Sequence, residues 1–170
     1  MAQFTPTQHE IWSNGEQVDF ALFDQGCGAR VRLSAYMTTD GIAVAVRLLP
    51  KKAPSLTELG APDFLKKLKP FRHGLVLITG ATGSGKSTTM ASWIAHVNQQ
   101  DEAHVVTLED PIEYRFESDK CLIHQSEVGN QVGGFSTALR DVLRRDPDAI
   151  VVGELRDLVS IELALRAAET

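Results

Sequence analysis

A short loop of small residues followed by a lysine carries the clearest chemical signal in the sequence. Within "LVLITGATGSGKSTTM", Gly80, Gly85, Lys86 and Ser87 satisfy the pattern G-x-x-x-x-G-K-[S/T]. Glycines leave backbone N–H groups open, because no side chain blocks the approach of a ligand. A helix beginning near Gly85 would add unpaired N–H groups and the positive end of its dipole. The motif therefore predicts a site for the phosphates of a nucleoside triphosphate.

Residues 80–88, called the phosphate loop below, are predicted to bind ATP and Mg²⁺. Lys86 is expected to reach the β- and γ-phosphates as a point charge, and the hydroxyl of Ser87 is expected to ligate Mg²⁺. The alternative is a glycine-rich turn between a strand and a helix, with no ligand. The predicted nucleotide-binding residues are Gly80, Thr82, Gly83, Ser84, Gly85, Lys86, Ser87 and Thr88.

Acidic residues follow two of the predicted strands. "TLEDPIE" contains Glu109, Asp110 and Glu113, and "AIVVGE" ends in Glu154. Hydrolysis needs a carboxylate that orients or deprotonates water and an acid that holds Mg²⁺, and the carboxyl ends of parallel strands lie beside the phosphate loop. Gly153 stands where the Walker-B pattern commonly has aspartate, so Glu154 is predicted to take the metal role. Alternatively, these acids are solvated strand ends or helix caps.

The rest of the sequence from residue 56 onward predicts alternating helices and strands, which indicates an α/β fold with a parallel, doubly wound sheet. A short helix is predicted over 62–69, and Asp157 is predicted to cap the last helix. Longer helices are predicted over 86–99 and 134–146, the second being amphipathic and ended by Pro147. Buried strands are predicted from apolar runs over 75–79, 104–109 and 149–153.

Residues up to about Pro50 are predicted to be β-structure. In "ARVRLSAYM", apolar residues alternate with Arg30, Arg32, Ser34 and Tyr36, which predicts a strand with one polar face. Further strands are predicted over 18–23 and 42–49, with an Asp-Gly turn at 38–41. The predicted domains are a β-rich segment over 1–50, a linker over 51–55, and an ATPase domain over 56–170. The linker is inferred from "PKKAP" at 50–54, which has two prolines, two lysines and no apolar pattern.

Composition limits the classes of partner and compartment. A net charge of -5 and a pI near 5.5 give no basic face for nucleic acid. The sequence has no run of about 18 apolar residues, so no membrane span is predicted. Cys27 and Cys121 lack metal-ligand spacing and are interpreted as small core residues of a cytoplasmic protein.

Several motifs resemble the type II/IV secretion ATPase superfamily, and within it the type IV pilus retraction ATPases of twitching motility. They span most of residues 75–170 in the order of that family. Those motifs are "GATGSGKSTTM", "VVTLEDPIEY", "HQSEVG", "FSTALRDVLRRDPDAIVVGELRD" and "ELALRAAET".

The resemblance implies a PAS-like N-terminal domain, here partial, joined to a RecA-like P-loop ATPase domain. Glu113 would be the general base, and Glu154 the Walker-B acid acting on Mg²⁺. Arg32 and Arg47 stand where the family has arginines that reach the nucleotide in the ring, although a solvent-facing strand position would equally explain Arg32. The family's histidine box is expected just after Thr170, so the sequence is interpreted as a fragment.

The resemblance also implies a cytoplasmic hexameric ring that acts on an inner-membrane pilus platform protein. Three other functions remain open at this point. A pilus-extension or type II secretion ATPase would have the same chemistry. A nucleotide-binding module without hydrolysis is disfavoured by the presence of both Glu113 and Glu154. A small-molecule P-loop kinase would need an acceptor site, and "EDPIE" has no obvious place in one.

Overall fold

A computed structural model describes residues 5–70, 73–128 and 134–169 of the chain. Gly129 of the "HQSEVG" motif and Thr170 lie outside these residues. The strands are β1 (Val18–Asp24), β2 (Ala29–Thr38), β3 (Gly41–Leu48), β4 (His104–Glu109), β5 (Leu122–Glu127) and β6 (Ala149–Val152). The helices are α1 (Pro6–Ser13), α2 (Asp63–Lys67), α3 (Lys86–Gln100), α4 (Phe135–Val142) and α5 (Leu158–Glu169), with a 3-10 turn at Leu143–Arg145.

The first sheet is antiparallel and has the order β1-β2-β3. The alternation predicted for β2 is confirmed, since Val31 and Ala35 are buried on one face while Arg30 and Arg32 lie on the other. In the ladder Arg32 stands opposite Arg47 of β3. Because side chains on one face recur every second residue, these three arginines share the polar face of this sheet.

The prediction that the chain is β-structure up to Pro50 is wrong for Pro6–Ser13, which form α1. Thr5 and Gln8 make a capping box: the hydroxyl of Thr5 accepts the Gln8 N–H at 3.3 Å, and the Gln8 side chain accepts the Thr5 N–H at 2.8 Å. Pro6 occupies the first helical position, where its missing N–H costs nothing. The local signal "TPTQ" therefore fixes this helix, although its apolar residues are few.

The second sheet is parallel and has the order β5-β4-β6. Val105 of β4 packs on one face with Ile94 and Val97 of α3. Leu108 packs on the other face with Leu139 of α4, and α5 lies against α4. Helices on both faces of a parallel sheet confirm the predicted doubly wound α/β architecture.

The prediction of a buried strand over 75–79 is wrong. These residues form no strand, and Leu75, Val76 and Leu77 are 45%, 46% and 64% exposed. A strand exists only as part of a ladder, and in the described part of the chain β6 pairs with β4 alone. Just before the segment, the N–H of Gly74 donates to the carbonyl of Ala168 at 2.7 Å.

Some of the smaller predictions are confirmed and others are wrong. The cap at Asp157 is confirmed, because its carboxylate accepts the Ser160 N–H at 2.9 Å and the Ser160 hydroxyl at 2.7 Å. Cys121 is buried as predicted, but Cys27 is exposed in the turn after β1 and is no core residue. Within the described ranges, no helix has the length and apolarity that crossing a bilayer requires.

Candidate active site

The phosphate loop is built around glycines that no other residue could replace without strain. Gly80 has φ 154° and Gly85 has φ 93°, both in the region that favours glycine. A Cβ added at Gly80 would lie 2.6 Å from the hydroxyl oxygen of Ser84. The Lys86 ammonium donates to the carbonyls of Gly80 at 2.8 Å and Ala81 at 2.9 Å, so it lies over the loop.

The start of α3 completes the cradle. Gly85 provides no side-chain cap, and the first turn holds no acidic residue that would neutralise the helix dipole. Unpaired N–H groups at such a terminus suit phosphate oxygens. Of the predicted binding residues, Gly85, Lys86 and Thr88 are half-buried, while those exposed are Gly80, Thr82, Gly83, Ser84 and Ser87. The cradle thus fits the triphosphate that the sequence predicts.

The direction of α3 brings the phosphate loop to the carboxyl edge of the parallel sheet. Near the end of α3, the side chain of Asn98 accepts the N–H groups of Asp119 at 3.0 Å and Cys121 at 3.3 Å, just before β5. A helix of 15 residues spans about 22 Å. A strand of 6 residues spans about 20 Å. With these lengths, a helix that runs antiparallel to the strands brings its start level with their carboxyl ends.

Acidic side chains collect at that same edge. Glu109 ends β4 and stands opposite Glu127, which ends β5, while Glu154 follows β6. Burial raises the pKa of Glu109, and hydrogen bonds from Thr107 at 2.6 Å and Gln125 at 3.1 Å oppose that rise. The nearby charge of Glu113 also raises the pKa of Glu109, which places the predicted base beside it.

Residues 110–116, called the acidic loop below, are held from β5. The side chain of Gln125 accepts the Phe116 N–H at 2.9 Å and donates to the Tyr114 carbonyl at 2.8 Å. The carboxylate of Glu127 accepts the Ile112 N–H at 3.1 Å. Glu113 is half-buried within this loop. The position of the predicted base is thus fixed by side chains from the neighbouring strand.

Gly153 and Glu154 directly follow β6, and Gly153 contacts the backbone of β4. The Glu154 carboxylate forms an ion pair with the Arg156 guanidinium, with a distance of 2.7 Å between Oε1 and Nε. The Gly153 N–H donates to the Leu108 carbonyl at 2.8 Å, and a Cβ at position 153 would lie 3.3 Å from that oxygen. The close approach explains physically why glycine suits the position where the Walker-B pattern commonly has aspartate.

The two predicted arginines differ in their surroundings. Burial raises the pKa of Asp110, as do the charges of Glu127 and Glu154, while Arg32 and Arg156 act against the rise. Arg32 therefore lies near the acidic loop, and its guanidinium is also 4.0 Å from the carboxylate of Asp19. Arg47 is exposed on β3 opposite Arg32, and among the described residues no hydrogen bond or ion pair joins it to the acids.

Sequence reasoning missed three side chains of this site. Gln125 and Glu127 belong to β5, whose sequence "LIHQSE" has no apolar run and so no strong strand signal. Arg30 donates to the acidic loop from β2, across 82 and 83 residues of sequence. The alternation of β2, which put Arg30 on the same face as Arg32, was the one available hint.

Comparison with known proteins shows the family of this chain. Residues 14–170 match the family model of the type II/IV secretion system protein. The chain belongs to this family. It is 49% identical over 163 residues to the uncharacterized protein YggR of Escherichia coli, covering 96% of this chain and 50% of YggR. It is 47% identical to the type IV pilus retraction ATPase PilT of Pseudomonas aeruginosa, covering 91% of this chain and 44% of PilT.

Among solved secretion-family structures, that of the pilus retraction motor PilT with bound ADP superposes with a TM-score of 0.91 at 45% identity. The superposition covers 98% of this chain and 48% of the PilT chain. The resemblance inferred from the motifs and the predicted fold are both confirmed. The chain spans about half the length of these relatives.

Proposed function

We propose that the complete protein is a Mg²⁺-dependent ATPase that powers retraction of type IV pili in twitching motility. The observation that carries this proposal is the course of α3, which starts at the phosphate loop and ends beside the start of β5, while Glu109 and Glu127 end the parallel strands at the opposite edge. A cradle for phosphate next to carboxylates is the arrangement that phosphoryl transfer to water requires. The similarity to PilT supports retraction as the use of that chemistry.

The proposed roles follow from the contacts of each side chain. Lys86, which donates to two loop carbonyls, would exchange these partners for β- and γ-phosphate oxygens. Ser87 and Glu154 would hold Mg²⁺, which when bound supplies positive charge at the phosphate oxygens. Glu154 would give up its ion pair with Arg156 to do so. Glu113 would orient and deprotonate the attacking water.

Arg32 and Arg47 are proposed to act between subunits of a hexameric ring. Exposure of Arg47, and the shared face on which both arginines lie, support a role toward another subunit. Arginines placed in this way stabilise charge on the γ-phosphate and are worth about 10³–10⁵ in rate in other phosphoryl-transfer enzymes.

The proposed domains are a PAS-like segment over 1–50, a linker over 51–55 and a RecA-like ATPase domain over 56–170. Rotation about the linker would convert the nucleotide state into movement. We further propose a cytoplasmic ring that acts on an inner-membrane pilus platform protein, without contact to nucleic acid. The net charge of -5 supports the last point.

Complementation tests this function directly. The gene for the complete protein is placed in a twitching bacterium that lacks its own retraction ATPase, with the Lys86→Ala variant as the matched control. Restored twitching with the wild type but not with the variant is the expected result. Restored pilus assembly in a strain that lacks its extension ATPase, with no effect on twitching, would instead assign the protein to pilus extension.

A further inference from the structure

Arg30 of β2 joins the first sheet to the candidate active site by side-chain hydrogen bonds. Its two terminal nitrogens donate to consecutive carbonyls of the acidic loop, to Ile112 at 2.8 Å and to Glu113 at 3.2 Å. Both acceptors are backbone atoms of the segment that carries the proposed base. A guanidinium with two separate donors fixes the orientation of such a segment as well as its distance.

The backbone of Arg30 is held within the first sheet. It lies in β2 opposite Phe23 of β1, and its own carbonyl accepts the Leu49 N–H at 2.8 Å. The guanidinium is half-buried, and its pKa is lowered first by burial and then by Arg115, while Glu127 and Glu109 raise it. The side chain therefore brings positive charge to the buried carboxylates below the acidic loop.

We propose that Arg30 is a positioning residue for hydrolysis, which holds the backbone of Ile112 and Glu113 so that the Glu113 carboxylate faces the attacking water. This inference rests on the proposed function, because it assigns Arg30 an action through Glu113. It also makes the first sheet part of the hydrolytic apparatus. Movement of that sheet away from the parallel sheet would break both bonds and release the base.

The effect of this contact should appear in turnover and not in binding. Misplacement of a catalytic group by about 1 Å can cost 10²-fold in rate. Arg30→Gln in the complete protein should therefore lower kcat by about 10-fold or more, with KM for ATP changed by less than about 2-fold. Arg30→Lys should recover part of the loss, because lysine keeps the charge without the two-pronged geometry. The exposed Arg145 provides the matched control, Arg145→Gln.

A double-mutant cycle separates positioning of Glu113 from general damage. Steady-state ATP turnover is measured for Arg30→Gln, Glu113→Gln and the double variant. If Arg30 acts through Glu113, the double variant should lose no more than Glu113→Gln alone. Losses that multiply, or wild-type turnover in Arg30→Gln, would overturn the proposal while leaving Glu113 as the base. Wild-type turnover in Glu113→Gln would overturn the choice of base and, with it, the role of Arg30.

Hydrogen exchange keeps the test decisive if Arg30→Gln does not fold. In Arg30→Lys, backbone amides of residues 110–116 should exchange faster than in the wild type, while amides of β4 remain protected. Unchanged exchange in the acidic loop together with a lowered kcat would contradict the proposed mechanism.

Discussion

Contacts between residues that are close in sequence hold the phosphate loop, whereas contacts between residues that are distant in sequence hold the acidic loop. Lys86 bonds to carbonyls 5 and 6 residues away, and the loop's shape follows from its own glycines. The acidic loop is held by Gln125 and Glu127 from the next strand and by Arg30 from another sheet. The proposed nucleotide-binding half of the site is thus locally encoded, while the proposed hydrolytic half depends on tertiary structure. Changes in the first half should therefore affect binding, and changes in the second should affect turnover.

Lys86→Ala gives the largest expected effect on the binding side of this comparison. The change removes a charge that is proposed to meet two phosphates, so affinity for ATP should fall by about 10²-fold or more. Isothermal titration calorimetry on the complete protein measures it. Unchanged affinity would contradict the assignment of the phosphate loop as the site that binds the phosphates of ATP.

Glu113→Gln should lower the turnover of ATP without changing its binding. Glutamine keeps the size of the side chain but cannot accept a proton, so kcat should fall by about 10²-fold or more while ATP affinity stays near that of the wild type. Turnover and calorimetry on the same preparation separate the two quantities. Wild-type turnover would mean that another group acts as the base.

The fold depends on local sequence signals more than the candidate site does. The alternation of helices and strands depends on neighbouring residues, and the predicted α/β fold was confirmed. The phosphate-binding role of the pattern around Lys86 stays a prediction. Strand 75–79 was predicted wrongly because an apolar run does not reveal whether a ladder partner is present. The contacts of Arg30 and Gln125 carry no sequence signature, since each joins segments that only folding brings together.

Gln125→Ala should test how strongly β5 supports the acidic loop. The change removes partners from the Phe116 N–H, the Tyr114 carbonyl and the Glu109 carboxylate. Leaving such buried groups unpaired costs about 1–3 kcal/mol, so the free energy of unfolding should fall by about 2 kcal/mol. Urea unfolding of Gln125→Ala measures this, and Leu122→Ala on the same strand, at an exposed position, is the control.

Arg32→Ala probes the proposed role of the first sheet between subunits. Turnover should fall by about 10-fold in assembled rings, because the change removes the cation that is proposed to face the nucleotide of a neighbouring subunit. Activity is measured on fractions separated by size. An equal loss in the monomeric fraction would show that Arg32 acts within its own subunit.

Glu109→Gln gives the smallest expected effect and depends on pH. The pKa of Glu109 is raised in the folded chain, so folding favours the protonated form of its carboxyl group. The contribution of Glu109 to stability is therefore full below its pKa in the unfolded chain. It is lost as the pH rises through its pKa in the folded chain. Glutamine can keep the bonds with Thr107 and Gln125 without a charge. Unfolding free energy of the variant should therefore fall less than that of the wild type between acidic and neutral pH. Parallel pH profiles would contradict a buried, charge-sensitive Glu109.

The central claim is that phosphate cradle and acidic edge form one hydrolytic site that is completed in an assembly. Mg²⁺-dependent ATP hydrolysis by the complete protein, measured over a range of protein concentrations with Lys86→Ala beside it, tests this most directly. The account predicts activity per subunit that rises with concentration and is absent in the variant. Tight ATP binding without turnover at any concentration, or equal turnover in the variant, would contradict it.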